Sequence, residues 1–316
     1  MPLHMDPKYS LPALREFLMR AERPLIVVLG PTASGKTDYS VALAQALGEG
    51  EGETSRAEIL NADSRQLYRH LDIGTAKITK EEARGVPHHL FDIADPKEEV
   101  TAARYKRNAV ALIEEIHARH GVPVLVGGSM LYLSAVIDNL DFPAASDPAL
   151  RAQLSAEYDA DGGAALYAKL EELDPETAAA FSVRNKPYVL RALETHALTG
   201  EKPSDARGAE ESPYDLHVIG IRWPRALLHE RINARTRRQF QKGWMDEVRG
   251  LLQKGYGPED PGMKSHGYRE IMEFLQAEGT DREPLIESIA AQARQYAKRQ
   301  MTWWRRDARI QWIDAA

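Results

Sequence analysis

Residues 26–40 read IVVLGPTASGKTDYS, and the fold class follows from that stretch. Its apolar opening, Ile26 to Leu29, reads as a short buried strand. Gly30, Pro31, Thr32, Ala33, Ser34, Gly35, Lys36 and Thr37 then match G-x-x-x-x-G-K-[ST] in full. A helical pattern follows, with Val41, Leu43, Ala44 and Leu47 apolar and Gly48 placed to stop it. Glycines let the backbone curl so that several N–H groups converge on an anion at the helix N-terminus. Lys36 adds a point charge, and Thr37 offers a hydroxyl to a magnesium ion. The competing reading is an ordinary glycine-rich strand-to-helix turn; a full motif match in the right context favours the phosphate site. These residues leave open whether the phosphate reacts or serves as the handle by which another group is delivered.

Further strands alternate with helices. AEILNADS (57–64) reads as a strand ending at Asp63 and Ser64, and GVPVLVGGS (121–129) as another ending at Gly127, Gly128 and Ser129. Residues 97–120 carry a helical pattern between them, and 11–22 form a short amphipathic helix before the first strand. This alternation predicts a parallel α/β sheet of the P-loop NTPase-like kind, flanked by helices, with its ligand site at the strands' C-terminal ends. Lys36, Asp63 and Ser129 all fall at such ends. From 140 to 213 the chain becomes Pro-punctuated, Ala-rich and helical, before LHVIGIRW (216–223) returns to the sheet. The expected organisation is a core in residues 1–139, an inserted helical domain in 140–213, and core completion with a helical part in 214–316. GEGEGETSRA (48–57) reads as a polar surface loop and residues 199–215 as a polar linker.

At 316 residues there is room for one sizeable α/β domain and a smaller one. No apolar run approaches the roughly 20 residues of a membrane span, and no signal peptide is evident. Zero Cys excludes disulfides and thiolate metal sites and suits a cytoplasmic location. A net charge of −6 argues against indiscriminate polyanion binding. Basic residues nevertheless gather late in the chain, from Arg222 to Lys242 and from Arg294 to Arg309, which suits a localised site for a phosphate-rich partner. Solvated helix faces give the same counts.

Gly127 and Gly128 stand where many P-loop proteins carry a magnesium-holding Asp, which leaves Asp63 as the candidate. Asp63 has three readings: magnesium holder, general base, or N-cap of a helix starting near Ser64.

GPTASGKT, NADSRQLYRHLDIGTAK (61–77), PHHLFDI (87–93), PVLVGGSMLY (123–132), RALE (191–194), GYRE (267–270) and RQYAKRQMTWWRR (294–306) occur in that order. In this set the chain resembles the tRNA dimethylallyltransferases of the short bacterial type, from about residue 24 to 313. The resemblance implies transfer of a dimethylallyl group from dimethylallyl diphosphate to the exocyclic amine of adenine 37 of tRNA, so the phosphate is a leaving-group handle. Diphosphate is then expected on Gly30 to Thr37 and on Arg235, with Mg²⁺ held at Thr37. Asp63 matches the family's general base, with Thr37 and Arg235 as catalytic partners. Contacts to the tRNA anticodon stem-loop are implied for Asp63, Ser64, Arg65, Gln66, Ser129, Arg151, Arg191, Lys264, Gly267, Tyr268, Arg269, Arg294 and Lys298. Ser129 replaces a more usual Thr but keeps the hydroxyl.

By spacing, Arg294, Lys298 and Arg305 share a helical face, with Trp303 and Trp304 interleaved as stacking platforms or as core. One departure is Tyr188, where the family commonly carries an RNA-contacting Arg; Arg184, Lys186 and Arg191 are nearby cations. A monomer without membrane association is expected. Two rival functions fit the loop alone: a small-molecule kinase and a nucleotide-gated RNA-binding module.

Overall fold

Strand β1 (Pro24–Leu29) buries five of its six residues, and its side chains serve both faces of the sheet. Leu25, Val27 and Leu29 enter one hydrophobic cluster and Ile26 and Val28 another, as the two-residue period of a strand requires. The computed structural model describes residues 6–7, 10–48, 57–142, 147–180, 182–204 and 211–315. Helix α1 (Leu11–Arg20) precedes β1, and α2 (Lys36–Gly48) leads from it towards β2 (Ala57–Ala62). After the short α3 (Lys80–Ala83) and β3 (His88–His89), α4 (Ala102–Ala118) leads to β4 (Val122–Gly127), and α5 (Met130–Ile137) follows.

The chain divides into two compact units, Met1–Ile137 with Ser212–Ala316, and Asp138–Glu211. In the second unit, α6 (Pro148–Asp161), α7 (Ala164–Leu173), α8 (Pro175–Ala180) and α9 (Lys186–Thr199) enclose a core that includes Leu154, Tyr158, Leu170, Val189 and Leu193. Asp147 starts α6 by accepting the Ala149 and Leu150 N–H groups at 2.8 and 3.2 Å, with Pro148 in the first turn. In the first unit, β5 (Asp215–Arg222) is followed by α10 (Arg225–Gln241), α11 (Trp244–Gln253), α12 (Tyr268–Gln276), α13 (Glu283–Trp304) and β6 (Ile310–Asp314).

The six strands are ordered β3-β2-β4-β1-β5-β6, every neighbouring pair parallel. The parallel α/β class expected from the sequence is therefore present, with two strands the sequence reading did not foresee, β3 and β6. Among the described residues no helix is long and apolar enough to cross a membrane. Residues 49–56 of the expected polar loop and 205–210 of the expected linker lie outside the described residues.

Candidate active site

Parallel strands deliver three loops to one end of the sheet. Those after β2 and β4 are joined directly: Ser129 N–H donates to the Ala62 carbonyl at 3.1 Å, and Ser129 Oγ accepts Ser64 N–H at 2.7 Å. The glycine pair permits this approach. A Cβ on Gly127 would lie 2.1 Å from the Ala62 carbonyl oxygen, and one on Gly128 would lie 2.4 Å from Gln300 Nε2.

Asp63 projects from the end of β2, and the expected helix does not follow it. Residues 64–70 form bends and turns around an isolated bridge from Tyr68 to Ala94 instead. Asp63 Oδ1 accepts the Arg65 N–H at 2.9 Å, and Asn61 Oδ1 accepts the Asp63 N–H at 3.0 Å, a local side-chain bonding that competes with helix formation. The helix-capping reading of Asp63 is thereby corrected.

The loop between β1 and α2 is braced from α10, α13 and the end of β5. Ala33 holds a positive φ of 62°, and its carbonyl accepts Arg231 Nε at 2.9 Å. Trp223 donates to the Ser34 carbonyl at 2.9 Å while its ring lies under the Arg231 guanidinium, 4.2 Å from the centroid. The Thr32 N–H donates to Gln300 Oε1 at 2.9 Å. Trp223, Arg231 and Gln300 are the participants sequence reasoning missed. Arg231 stands four residues before Arg235 on α10, so helical spacing was the one signal that could have paired it with the loop.

Lys36 is half-buried, and its Nζ reaches the Pro31 carbonyl at 3.5 Å. Burial lowers its pKa from 10.5 to about 8; Asp63 opposes that shift and the like charge of Arg235 adds to it. Arg235 donates to Thr32 Oγ1 at 3.3 Å and to the Thr75 carbonyl at 3.2 Å. Burial lowers its pKa too, again against the pull of Asp63.

Two cavities meet at these groups. The smaller, of about 60 Å³, is bordered by Lys36, Thr37, Ser40, Asn61, Gln66 and His88 among others. The larger, of about 230 Å³, is lined by apolar Ile232, Trp244, Ile289 and Ala293 and by polar Ser64, Arg65, His266 and Tyr296 among others. Thr32, Asp63 and Arg235 border both. Burial raises the Tyr296 phenol to about 12, with the Asp63 charge adding to the effect, so it stays a neutral donor. Thr37 and Asp63 bring hydroxyl and carboxylate oxygens to the smaller cavity. Such a donor set suits Mg²⁺, which commonly takes one or two protein oxygens and fills its remaining positions with phosphate and water. Among the described residues no cluster of three or more His, Cys, Asp or Glu is arranged for a metal.

The segment 72–77 (DIGTAK) forms part of the wall. Glu247 accepts the N–H groups of Asp72, Ile73 and Gly74 at 2.9, 2.7 and 3.2 Å. Gln239 donates to the carbonyls of Ile73 and Gly74, and Gln66 to those of Thr75 and Ala76. Lys77 is spent on Asp72 and Asp92, at 2.7 and 2.6 Å.

The expected tRNA contacts divide by exposure. Lys264, Arg269 and Lys298 are exposed, Arg269 beside Glu273 and Glu259. Tyr268 has no exposed surface: its ring packs edge-on against Trp244 and its hydroxyl donates to Glu247 at 2.6 Å. Gly267 is buried against the same indole. Tyr268 and Gly267 thus belong to the core, which corrects their expected RNA contact. Arg294 bonds Asn233 and Glu287 at 2.6 and 2.7 Å. Trp304 is buried, whereas Trp303 is half-exposed and lies about 180° around the helix from Arg294. The two tryptophans therefore do not form one platform with the basic face. In the second unit, Arg191 and Arg151 approach the fully buried Glu194 at 2.9 and 3.5 Å, and Lys186 pairs with Asp159 at 2.6 Å.

The IPP transferase family profile matches residues 66–307. A tRNA dimethylallyltransferase of Thermobifida fusca is 45% identical over 289 residues, 92% of this chain and 89% of its own. That of Thermomicrobium roseum is 40% identical over 297 residues, 94% and 88% of the two chains. The crystal structure of a tRNA isopentenylpyrophosphate transferase from Bacillus halodurans superposes with a TM-score of 0.67 at 39% identity, covering 93% of this chain and 90% of that one. A eukaryotic dimethylallyltransferase captured acting on tRNA gives 0.79 at 26% identity, covering 93% and 74%.

Proposed function

The chain belongs to the tRNA dimethylallyltransferase (IPP transferase) family, and from that premise we propose that it moves a dimethylallyl group from dimethylallyl diphosphate to the exocyclic amine of adenine 37 of tRNA, releasing diphosphate. The observation that carries this reading is the junction of the two cavities at Thr32, Asp63 and Arg235. A donor whose diphosphate occupies the smaller cavity has its reacting carbon at that junction, where an acceptor entering the larger cavity can reach it.

Loop amides, Lys36 and Arg235 hold the diphosphate, and Ile232, Trp244, Ile289 and Ala293 offer an apolar wall to the prenyl carbons. The adenine amine is a weak nucleophile because its lone pair is delocalised into the ring. As that lone pair forms the new N–C bond, the C–O bond breaks and its electrons pass to the diphosphate oxygen. Asp63 accepts the proton the amine loses. Lys36 and Arg235, half-buried beside the cavity, stabilise the charge growing on the leaving oxygen more effectively than they would in water. Thr37 would hold Mg²⁺, which when bound supplies further charge stabilisation to the diphosphate.

A base within an anticodon loop must leave its stack to reach an enclosed site. Tyr296 and His266, with ring centroids 5.3 Å apart beside the larger cavity, are aromatic surfaces for it. Ser64, Arg65, Gln66 and Ser129 at the cavities, with Lys264, Arg269, Arg294 and Lys298, are the proposed contacts of the first unit; Arg151 and Arg191 are those of the second. Labelled dimethylallyl diphosphate, incubated with the protein, magnesium and unmodified tRNA, should label the tRNA. A transcript with guanine at position 37 should stay unlabelled, and equal labelling of both would refute the assignment of the acceptor.

A further inference from the structure

Gln300 lies in α13 with 1% of its surface exposed, and it borders neither cavity. Its two amide ends are nonetheless committed to two different loops of the site. Oε1 accepts the Thr32 N–H at 2.9 Å, and Nε2 donates to the Gly128 carbonyl at 2.6 Å. A buried amide needs partners wherever it sits, and a structural glutamine would be satisfied by any two. Here the partners lie on opposite sides of the reaction.

Thr32 belongs to the phosphate loop, borders both cavities and bonds Arg235. Gly128 precedes Ser129, whose hydroxyl holds the Ser64 N–H, one residue from Asp63. An unbroken path of hydrogen and peptide bonds thus runs from the leaving-group cradle through Gln300 to the base. Tyr296, one turn earlier on α13, adds a longer bond of 3.4 Å to the same Gly128 carbonyl.

We infer that Gln300 is a positioning residue for prenyl transfer, a strut that fixes the distance between the diphosphate cradle and the Asp63 loop without touching either substrate. The inference rests on the function proposed above. Displacement at carbon requires amine, carbon and leaving oxygen in line, and a misplacement of about 1 Å can cost about a hundredfold in rate. Each substrate binds largely to one side of the strut, so its loss should appear in the transfer step more than in either affinity.

The test uses the full-length protein with Gln300→Met, which keeps length and volume but removes both bonds, and with Gln300→Glu, which keeps an acceptor for Thr32 N–H and loses the donor to Gly128. Thermal melting, equilibrium binding of inorganic diphosphate and of unmodified tRNA, and single-turnover transfer at saturation are measured for each. Transfer by Gln300→Met should fall about ten- to a hundredfold, with both affinities within about threefold of wild type. Gln300→Glu should be slowed as well, and it carries the test if the Met variant melts early. A folded Gln300→Met protein transferring at the wild-type rate would overturn the strut. So would a loss of transfer matched by an equal loss of diphosphate affinity, because Gln300 would then serve the cradle alone. Wild-type protein that fails to label tRNA would sink the prenyl-transfer reading itself, a different result from wild-type transfer with an indifferent Gln300→Met.

Discussion

Positive charge is handled in opposite ways at the strand ends of the first unit and in the helices of the second. Lys36 and Arg235 are half-buried at the cavities, and burial lowers both pKa values despite Asp63 nearby. In the second unit, Arg191 and Arg151 are set against the fully buried Glu194, and Lys186 against Asp159. The first arrangement sets two cations near one carboxylate at the cavities, which favours an incoming anion; the second pairs its cations with carboxylates directly, two of them on Glu194. The difference separates a cation pair gathered at one cavity from cations that each lie against a carboxylate of their own helical unit.

The sharpest way to break that distinction is Lys36→Ala. If Lys36 serves a bound anion, single-turnover transfer should fall about a hundred- to a thousandfold, the usual consequence of losing one preorganised electrostatic contact. The melting temperature should hold or rise, because a desolvated cation has been removed. Unchanged transfer in the folded variant would reject the diphosphate handle. Asp63→Asn comes next. It keeps size and can still accept the Arg65 N–H through its amide oxygen, but it cannot take the amine's proton. Transfer should fall by roughly a hundredfold while tRNA and diphosphate still bind. A collapse of magnesium-dependent diphosphate affinity would instead make Asp63 chiefly a metal holder.

What the sequence made legible was chemistry fixed by adjacent residues. The loop from Gly30 to Thr37 and the strands around Leu29, Asp63 and Gly127 follow from local spacing, because backbone curl and side-chain alternation are local properties. Strand β3, two residues long, carries no period to detect, and β6 is an edge strand with only Ile310 buried. The helix expected after Asp63 is absent because Asn61 and Asp63 bond to nearby backbone. Gln300, Trp223 and Arg231 meet the phosphate loop across 189 to 268 residues of chain, so no window of sequence contains the contact. Tyr268 shows the reverse error: a motif position suggested RNA, and packing against Trp244 put it in the core.

A milder test asks which cations of α13 remain available to RNA. Lys298 is exposed, whereas Arg294 is engaged with Asn233 and Glu287. Lys298→Glu should weaken tRNA binding about tenfold at low salt and flatten its salt dependence, with the melting temperature unchanged. Arg294→Glu should weaken binding too but also lower the melting temperature, since it sets a carboxylate against Glu287. Wild-type tRNA affinity and salt slope in both variants would make this helix face a solvated surface.

The smallest effect comes from titrating the comparison rather than mutating it. Lys36 releases its proton near pH 8 in the unliganded protein, well below its ordinary 10.5. The protonated form binds an anion better, so diphosphate affinity should fall as pH rises through 8, by about threefold between pH 7.5 and 8.5 if only protonated Lys36 contributes. Stability runs the other way. Between about pH 8 and 10.5 the unfolded chain keeps a proton on Lys36 that the native protein has released, so this group's contribution to stability rises with pH across that window. Calorimetric binding of inorganic diphosphate from pH 7 to 9, with Lys36→Ala as the flat control, checks the claim. A pH dependence that persists in Lys36→Ala would assign the titration to another group and remove the contrast between a poised cation and a paired one.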